Sequence, residues 1–228
     1  MISRSVRELT LERADGAPLA FDAGQWVSLV LPLEGGQVRR SYSIASAPNG
    51  TPSFDIAVTH VEGGPGSTYL HALEPGATIQ TIGPQGFFTR AKDNVAPALF
   101  VATGTGVTPL RSMLNVAIAQ GQKAPLWLLF GVRHEHDMLY EKELRALAAD
   151  HSHVRVEFTL SQPPAGWAGR HGYVQAHVPD LWNALDALGH GAPHAYICGL
   201  QRMVGSVRDL LRKDMNVPRE QVHSERYD

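Results

Sequence analysis

Ala98-Leu-Phe-Val-Ala-Thr103, followed by Gly104-Thr-Gly-Val-Thr-Pro109 and then by Leu110–Ala119, decides the fold class of the second half of this chain. An unbroken apolar run of that length reads as a strand buried on both faces. Two glycines come next, and a helical pattern then covers Pro109–Ala119, with the proline near the first position, where its missing N–H costs little. A strand, a glycine turn and a helix together aim free amides and the positive end of a helix dipole at one point, which suits a phosphate. The same arrangement also serves as an ordinary tight connection. It departs from the dinucleotide fingerprint twice: Pro109 stands in place of the third glycine, and the next strand ends Phe130-Gly-Val-Arg133 with no acidic residue.

Outward from that turn the pattern keeps alternating. Strands are expected at Leu126–Phe130, Val154–Leu160, Ala195–Cys198 and Gln221–Glu225. Helices are expected after Asp137 acting as N-cap, over Pro179–Leu188, and through Met203, Val204, Val207, Leu210 and Leu211. Five strands separated by helices predict a parallel, Rossmann-like α/β sheet covered on both faces. Toward the N-terminus the period changes. Val6–Leu11, Trp26–Leu31, Arg40–Ile44, Ser53–Val61 and Thr78–Ile82 are strand-like, with turn signals such as Gly35-Gly36 and Pro48-Asn-Gly50 between them. Short strands at that spacing predict an antiparallel β-barrel. The charged stretch Ala91–Val95 divides the two patterns, giving expected domains 1–92 and 93–228.

Composition narrows the function. Twenty Lys and Arg against 22 Asp and Glu leave a net charge of −2, which argues against a nucleic-acid binder. No apolar run approaches the roughly 18 residues of a membrane span, and no apolar leader opens the chain, so a cytoplasmic protein is expected. The single cysteine, Cys198, excludes an internal disulfide and an iron–sulfur cluster ligated by this chain's cysteines alone. The histidine pairs His134/His136 and His151/His153 and the stretch His190–His194 fall in expected turns without a third ligand nearby, and no metal site is expected.

Two segments of the first half carry chemistry. In Arg39-Arg-Ser-Tyr-Ser-Ile44, Tyr42 and Ile44 share one face of a strand and Ser41 and Ser43 the other. That places an aromatic wall, hydroxyls and a cation together, although such a strand is also a common solvated face. In Glu62-Gly-Gly-Pro-Gly-Ser-Thr-Tyr-Leu70, small residues precede a helix start. The segment reads either as a phosphate cradle or as a loop with Ser67 as N-cap.

Taken in order and spacing, Arg40-Ser-Tyr-Ser43, Gly66-Ser67-Thr68, Gly83-Pro-Gln-Gly-Phe87, Gly104–Pro109 and Cys198-Gly199 resemble the ferredoxin–NADP reductase superfamily, from about Phe21 to Asp228. The resemblance implies a flavin-binding antiparallel barrel followed by a nicotinamide-binding α/β domain. It places Arg40 at the flavin phosphate, Tyr42 against the flavin, Ser43 near flavin N5, and Thr59 and Val61 along the cofactor. Gly66, Ser67 and Thr68 would hold the FAD pyrophosphate, and Tyr227, in Glu225-Arg-Tyr227, would close over the flavin. Gly104, Gly106, Thr108, Pro109, Arg133, Ser161, Cys198, Gly199 and Met203 would form the NAD(P) site, with Ser43, Cys198 and Glu225 as the catalytic set. The family pattern also implies one more barrel strand ahead of Val6.

The implied function is an FAD-containing reductase. It takes a hydride from NAD(P)H and passes electrons to a separate acceptor such as a ferredoxin, flavodoxin, cytochrome or oxygenase component. Alternatives are a reductase that uses free flavin as substrate and a non-catalytic flavin-binding electron-transfer subunit. Where NADP-preferring relatives commonly carry Ser-Arg, this chain reads Ser161-Gln162, and Arg133 is followed by Asp137, so NADH is the favoured donor unless Arg170 reaches the adenosine end.

Overall fold

The structure is a computed structural model and describes residues 1–227; Asp228, the last residue of the expected second domain, lies outside the described residues. In the first half, β1 (Val6–Glu12) pairs antiparallel with β4 (Ser53–Thr59), and β2 (Trp26–Leu33) runs between β3 (Gly36–Ser43) and β5 (Gln80–Gln85). A single antiparallel bridge, Ile44 to Ile56, joins the two sheets. Strand alternation explains their common core. Val27, Leu29 and Leu31 of β2 are buried with Leu9, Ile44, Phe54, Ile56 and Val58. Helix α1 (Pro65–Ala72) adds Leu70 to that core. The expected barrel is thus two antiparallel sheets around one interior.

In the second half, β6 (Ala98–Thr103), β7 (Leu126–Val132), β8 (Val154–Leu160), β9 (Arg170–His171), β10 (His194–Leu200) and β11 (Val222–Tyr227) form one parallel sheet in the order β11-β10-β6-β7-β8-β9. Phe100 and Ala102 bury into one core with Phe130, Tyr196 and Cys198; Leu99 and Val101 bury into another with Leu129, Val178 and Ile197. Two apolar faces require two helical layers, supplied by α2 (Val107–Ala119) and α3 (Glu141–Asp150) in the first core and by α4 (Val178–Asp186) and α5 (Gln201–Asp209) in the second. The first of these cores also takes in Val6, Ala23, Ala57 and Phe88 from the antiparallel half, so the two halves share packing.

Several sequence expectations shift for local reasons. The parallel sheet has six strands, not five: Arg170–His171 pairs with Thr159–Leu160, and two residues carry no readable period. Helix α1 starts at Pro65 with Gly64 as N-cap; Ser67 is not the cap. Helix α2 starts at Val107, so Pro109 is its third residue, still inside the first turn where no amide partner is required. Asp137 does not cap α3. Its carboxylate accepts from the His134 amide (3.1 Å) and closes a short 3-10 turn, Glu135–Asp137, while Tyr140, in the left-handed region at φ 56, precedes the helix. Strand β3 begins four residues before the expected Arg40 because Glu34-Gly35 makes a two-residue hairpin turn, with Gly35 at φ 91.

Candidate active site

The chain runs outward from β6 through β7, β8 and β9, then returns to the other side of β6 as β10. Open α/β sheets bind ligands beyond the carboxyl ends of their strands at such a reversal. Here that point lies between the turns that follow Thr103 and Gly199. A side chain at Gly106 would come within 2.5 Å of the Cys198 carbonyl carbon and 2.6 Å of Gly199 Cα. One at Gly199, which sits at φ 147, would collide with the Thr103 hydroxyl and come within 2.9 Å of the Thr103 carbonyl oxygen. These glycines let the two turns touch. Gly104 differs: at φ 54, a Cβ there would meet no atom within 4 Å, and it lines the open groove above.

Parallel register sets the chemistry beneath the groove. Cys198 lies beside Glu225 on the neighbouring strand and beside Ala102 on the other. Across the junction between the halves, the Ser43 hydroxyl donates to Glu225 Oε1 (3.3 Å) and accepts from the Tyr227 hydroxyl (2.6 Å). The Tyr227 hydroxyl also meets Thr108, whose own hydroxyl donates to the Thr105 carbonyl (2.8 Å). Ser43, 155 and 182 positions before Cys198 and Glu225, is thereby brought together with them and with Tyr227 and Thr108.

Burial tunes these groups. It pushes the Glu225 carboxyl up to about 7, partly opposed by the Ser43 hydrogen bond. Burial first, then the adjacent Glu225, raises the Cys198 thiol far above its ordinary value, so it stays an uncharged, polarizable side chain. Because Glu225 titrates higher folded than unfolded, its contribution to stability is full below pH 4.5 and is lost as pH rises through about 7. Glu225→Gln is expected to flatten that slope between pH 4.5 and 7 in denaturant titrations; an unchanged slope would contradict the assignment.

On the antiparallel side, the Arg40 stem passes Gly66 in the first turn of α1, where an added Cβ would sit 3.6 Å from Arg40 Cγ. The guanidinium donates from Nη1 to the Arg39 carbonyl (2.9 Å), and a cation beside the first turn of a helix supplies charge and donors of the kind a phosphate needs. The Ser67 hydroxyl is otherwise engaged: it accepts from the Val61 amide (3.0 Å) and donates to the Gly64 carbonyl (3.0 Å), shaping the loop. Thr68 and Val61 are exposed, Tyr42 is half-buried, and Thr59 lines the groove.

The groove has a volume of about 1050 Å³ and takes lining from both halves: Val6 and Thr59 from the first, and Gly104, Arg133, Ser161, Met203 and Tyr227 from the second. That volume is at the upper end for a ligand cavity. Thr108 and Pro109 lie buried in the α2 turn beneath the groove; neither Cys198 nor Gly199 lines it, and Cys198 is fully buried. Arg170 stands apart, ion-paired with Glu157 and donating to His177 Nδ1 (3.2 Å). Sequence reading missed Tyr173, a groove residue with 69% of its surface exposed. The Val174 side chain packs onto Gly131, where an added Cβ would lie 2.5 Å away, and so anchors the segment that carries Tyr173. Gly172-Tyr-Val-Gln175 was the available signal.

An antiparallel flavin-type half and a parallel nucleotide-type half, with a hydroxyl, a thiol and a carboxyl at their junction, define a two-domain oxidoreductase. The sequence profiles of the Oxidoreductase FAD-binding domain and the Oxidoreductase NAD-binding domain match residues 1–89 and 100–209. The chain is 60% identical over its whole length to Ferredoxin--NADP reductase B of Sorangium cellulosum, covering 93% of that protein. It is 31% identical, over 95% of its length and 63% of the relative's, to the ferredoxin--NAD(P)(+) reductase component of the naphthalene 1,2-dioxygenase/salicylate 5-hydroxylase systems of Ralstonia sp. Among solved structures, the Amycolatopsis cytochrome P450 reductase superposes with a TM-score of 0.83 at 28% identity, over 99% of this chain and 66% of that one. The chain belongs to the ferredoxin–NADP reductase family of FAD- and NAD(P)-binding oxidoreductases.

Among the described residues, no helix is long and apolar enough to cross a membrane.

Proposed function

We propose that this protein is an NADH-preferring flavoprotein reductase that delivers electrons to a separate one-electron carrier. The convergence of Ser43, Glu225, Tyr227 and Cys198 at the junction, under a groove walled by both halves, carries this reading. The residues fit the cofactors: Arg40 and the amides at Gly66–Thr68 suit a pyrophosphate, and the Cβ-free position at Gly104 leaves room for a dinucleotide. FAD, when bound, supplies the conversion of a two-electron hydride into single electrons.

The chain's own groups orient and protonate. The Ser43 hydroxyl, which accepts from Tyr227, would reach the flavin's reacting nitrogen by turning its single proton away from Glu225. Glu225, titrating near 7, can hold or release a proton at Ser43 Oγ at working pH. Cys198, fully buried, would lie as an uncharged wall behind the reacting rings. Thr59 and Val61 would flank the flavin; Gly104, Arg133, Ser161 and Met203 would line the nicotinamide path, with Gly106, Thr108, Pro109 and Gly199 packed beneath it. The flavin domain is assigned to residues 1–92 and the nicotinamide domain to 93–228.

Donor preference follows from charge. A 2′-phosphate needs cations. Arg170 is held by Glu157, which it shares with Arg155, and position 162 is Gln in place of the Arg of NADP-preferring relatives, which favours NADH. Arg133 in the groove, and the name of the Sorangium relative, favour NADPH. Anaerobic mixing of desalted, yellow protein with each nucleotide separates the two: faster bleaching of the flavin band with NADH supports the proposal, and faster bleaching with NADPH overturns the preference. A flavin lost on desalting that still speeds NADH oxidation when added back would mark flavin as a substrate. The names of the relatives make a ferredoxin or an oxygenase component the natural acceptor class.

Arg40→Ala is expected to weaken FAD binding by about 1.5–3 kcal/mol, the scale of a charge-assisted hydrogen bond. Flavin titration of the apoprotein measures it, and unchanged affinity would remove Arg40 from the phosphate.

A further inference from the structure

Two hydrogen-bonded arms tie the halves together one helical turn beyond the groove. Arg111, on α2, binds both carboxylate oxygens of Glu143 on α3 (2.8 and 2.9 Å from Nε) and donates from Nη1 to the Ala45 carbonyl of the antiparallel half (2.8 Å). The next residue, Ser112, donates to the Ser46 carbonyl (2.7 Å). The guanidinium carbon of Arg111 lies 4.2 Å from the Tyr140 ring centroid, and the Tyr140 hydroxyl donates to Glu8 Oε2 on β1 (2.6 Å). Asn115 adds a bond to Glu143 (3.1 Å).

The position of these contacts matters more than their number. Arg111 and Ser112 follow Val107 and Thr108 by four residues, so they sit one turn along the same helix from the nucleotide loop. Their partners Ala45 and Ser46 come two and three residues after Ser43. Helix α2 therefore spans, through two backbone carbonyls, from the loop expected to carry the nicotinamide to the strand expected to carry the flavin. Tyr140 and Glu8 form the outer arm, and Tyr140 is held in a left-handed backbone conformation that non-glycine residues adopt at a cost. The Arg111 side chain is 15% exposed and the Glu143 side chain 35%, so solvent screens this pair only in part.

We propose that Glu8, Tyr140, Arg111 and Glu143 form an interdomain clamp that fixes the separation and angle of the nicotinamide and flavin rings, acting as positioning residues for hydride transfer. The inference rests on the functional reading above. Hydride transfer demands reacting atoms about 3–3.5 Å apart, and a misplacement of about 1 Å costs on the order of 10²-fold in rate.

The test uses the FAD-loaded full chain. Tyr140→Phe removes one hydroxyl, Glu8→Ala removes its acceptor, and Glu8→Gln keeps an oxygen that can accept from Tyr140. Tyr140→Phe and Glu8→Ala are expected to retain FAD and to bind nicotinamide within about twofold of wild type. Both are expected to lose roughly tenfold or more in flavin reduction at saturating NADH. The long-wavelength charge-transfer absorbance of stacked nicotinamide and flavin weakens in parallel. Glu8→Gln restores most of the rate and the band. Wild-type rate and band in Tyr140→Phe would overturn the clamp, as would equal slowing in Glu8→Gln and Glu8→Ala. Should Glu8→Ala shed its flavin, Tyr140→Phe decides alone. A wild-type protein that neither keeps flavin nor is reduced by either nucleotide removes the functional reading and the clamp with it. Normal wild-type reduction with unaffected variants removes the clamp only.

Discussion

Ser43→Ala is expected to slow flavin reduction by about 10²-fold, the lower end of what a positioned proton-handling group contributes, while leaving FAD bound. Ser43 closes β3 opposite Trp26 in β2, and the residue is 6% exposed. Alanine keeps that backbone pairing and removes only the hydroxyl. What disappears is the one oxygen that both accepts from Tyr227 and donates to Glu225. Single-turnover reduction of the flavin band by NADH measures the effect, and the flavin-to-protein absorbance ratio checks retention. A mutant that is reduced at the wild-type rate would take Ser43 out of the chemistry. Glu225→Gln should abolish any break near pH 7 in the same rate, because the carboxyl that titrates there has gone.

Gly106→Ala is expected to damage both stability and nicotinamide binding. The new methyl would lie 2.5 Å from the Cys198 carbonyl carbon and 2.6 Å from Gly199 Cα. Those atoms belong to β10, which is paired on both sides, so they cannot yield cheaply. Overpacking of this kind costs about 1–3 kcal/mol, several degrees of Tm for a chain of this size. Gly104→Ala provides the contrast. Its methyl meets no protein atom but enters the groove, at a backbone angle that side chains disfavour by about 1–2 kcal/mol. Nicotinamide affinity should therefore fall in both variants, whereas only Gly106→Ala should separate Thr103 from Gly199 and disturb the Cys198 environment. Thermal melts with calorimetric nucleotide titrations distinguish them. A Gly106→Ala protein with wild-type Tm and affinity would mean that the two turns do not pack as described.

Much of this was legible in the residues because it is local. Burial on both faces makes Ala98–Thr103 a continuous apolar run, and the core of the first half takes Val27, Leu29 and Leu31 from one face of β2. Turn chemistry placed Gly35 and Gly104, and the family resemblance placed Gly199. The errors were also local, where a short-range signal had two readings. Ser67 and Asp137 are both good caps in isolation, yet one ties down the preceding loop and the other closes a 3-10 turn. Two-residue β9 and the exposed Tyr173 carry no periodic signature and stayed invisible.

The sequence by itself determined the two-part architecture, the glycine positions and the residue types available for chemistry, since those depend on spacing along the chain. Only the tertiary structure decided that Cys198 lies beside Glu225, that Ser43 reaches both Glu225 and Tyr227, and that Arg111 and Tyr140 bind the halves together. Strand order, parallel register and the docking of one half on the other are set by pairing between distant segments, and no local pattern encodes which distant partner wins.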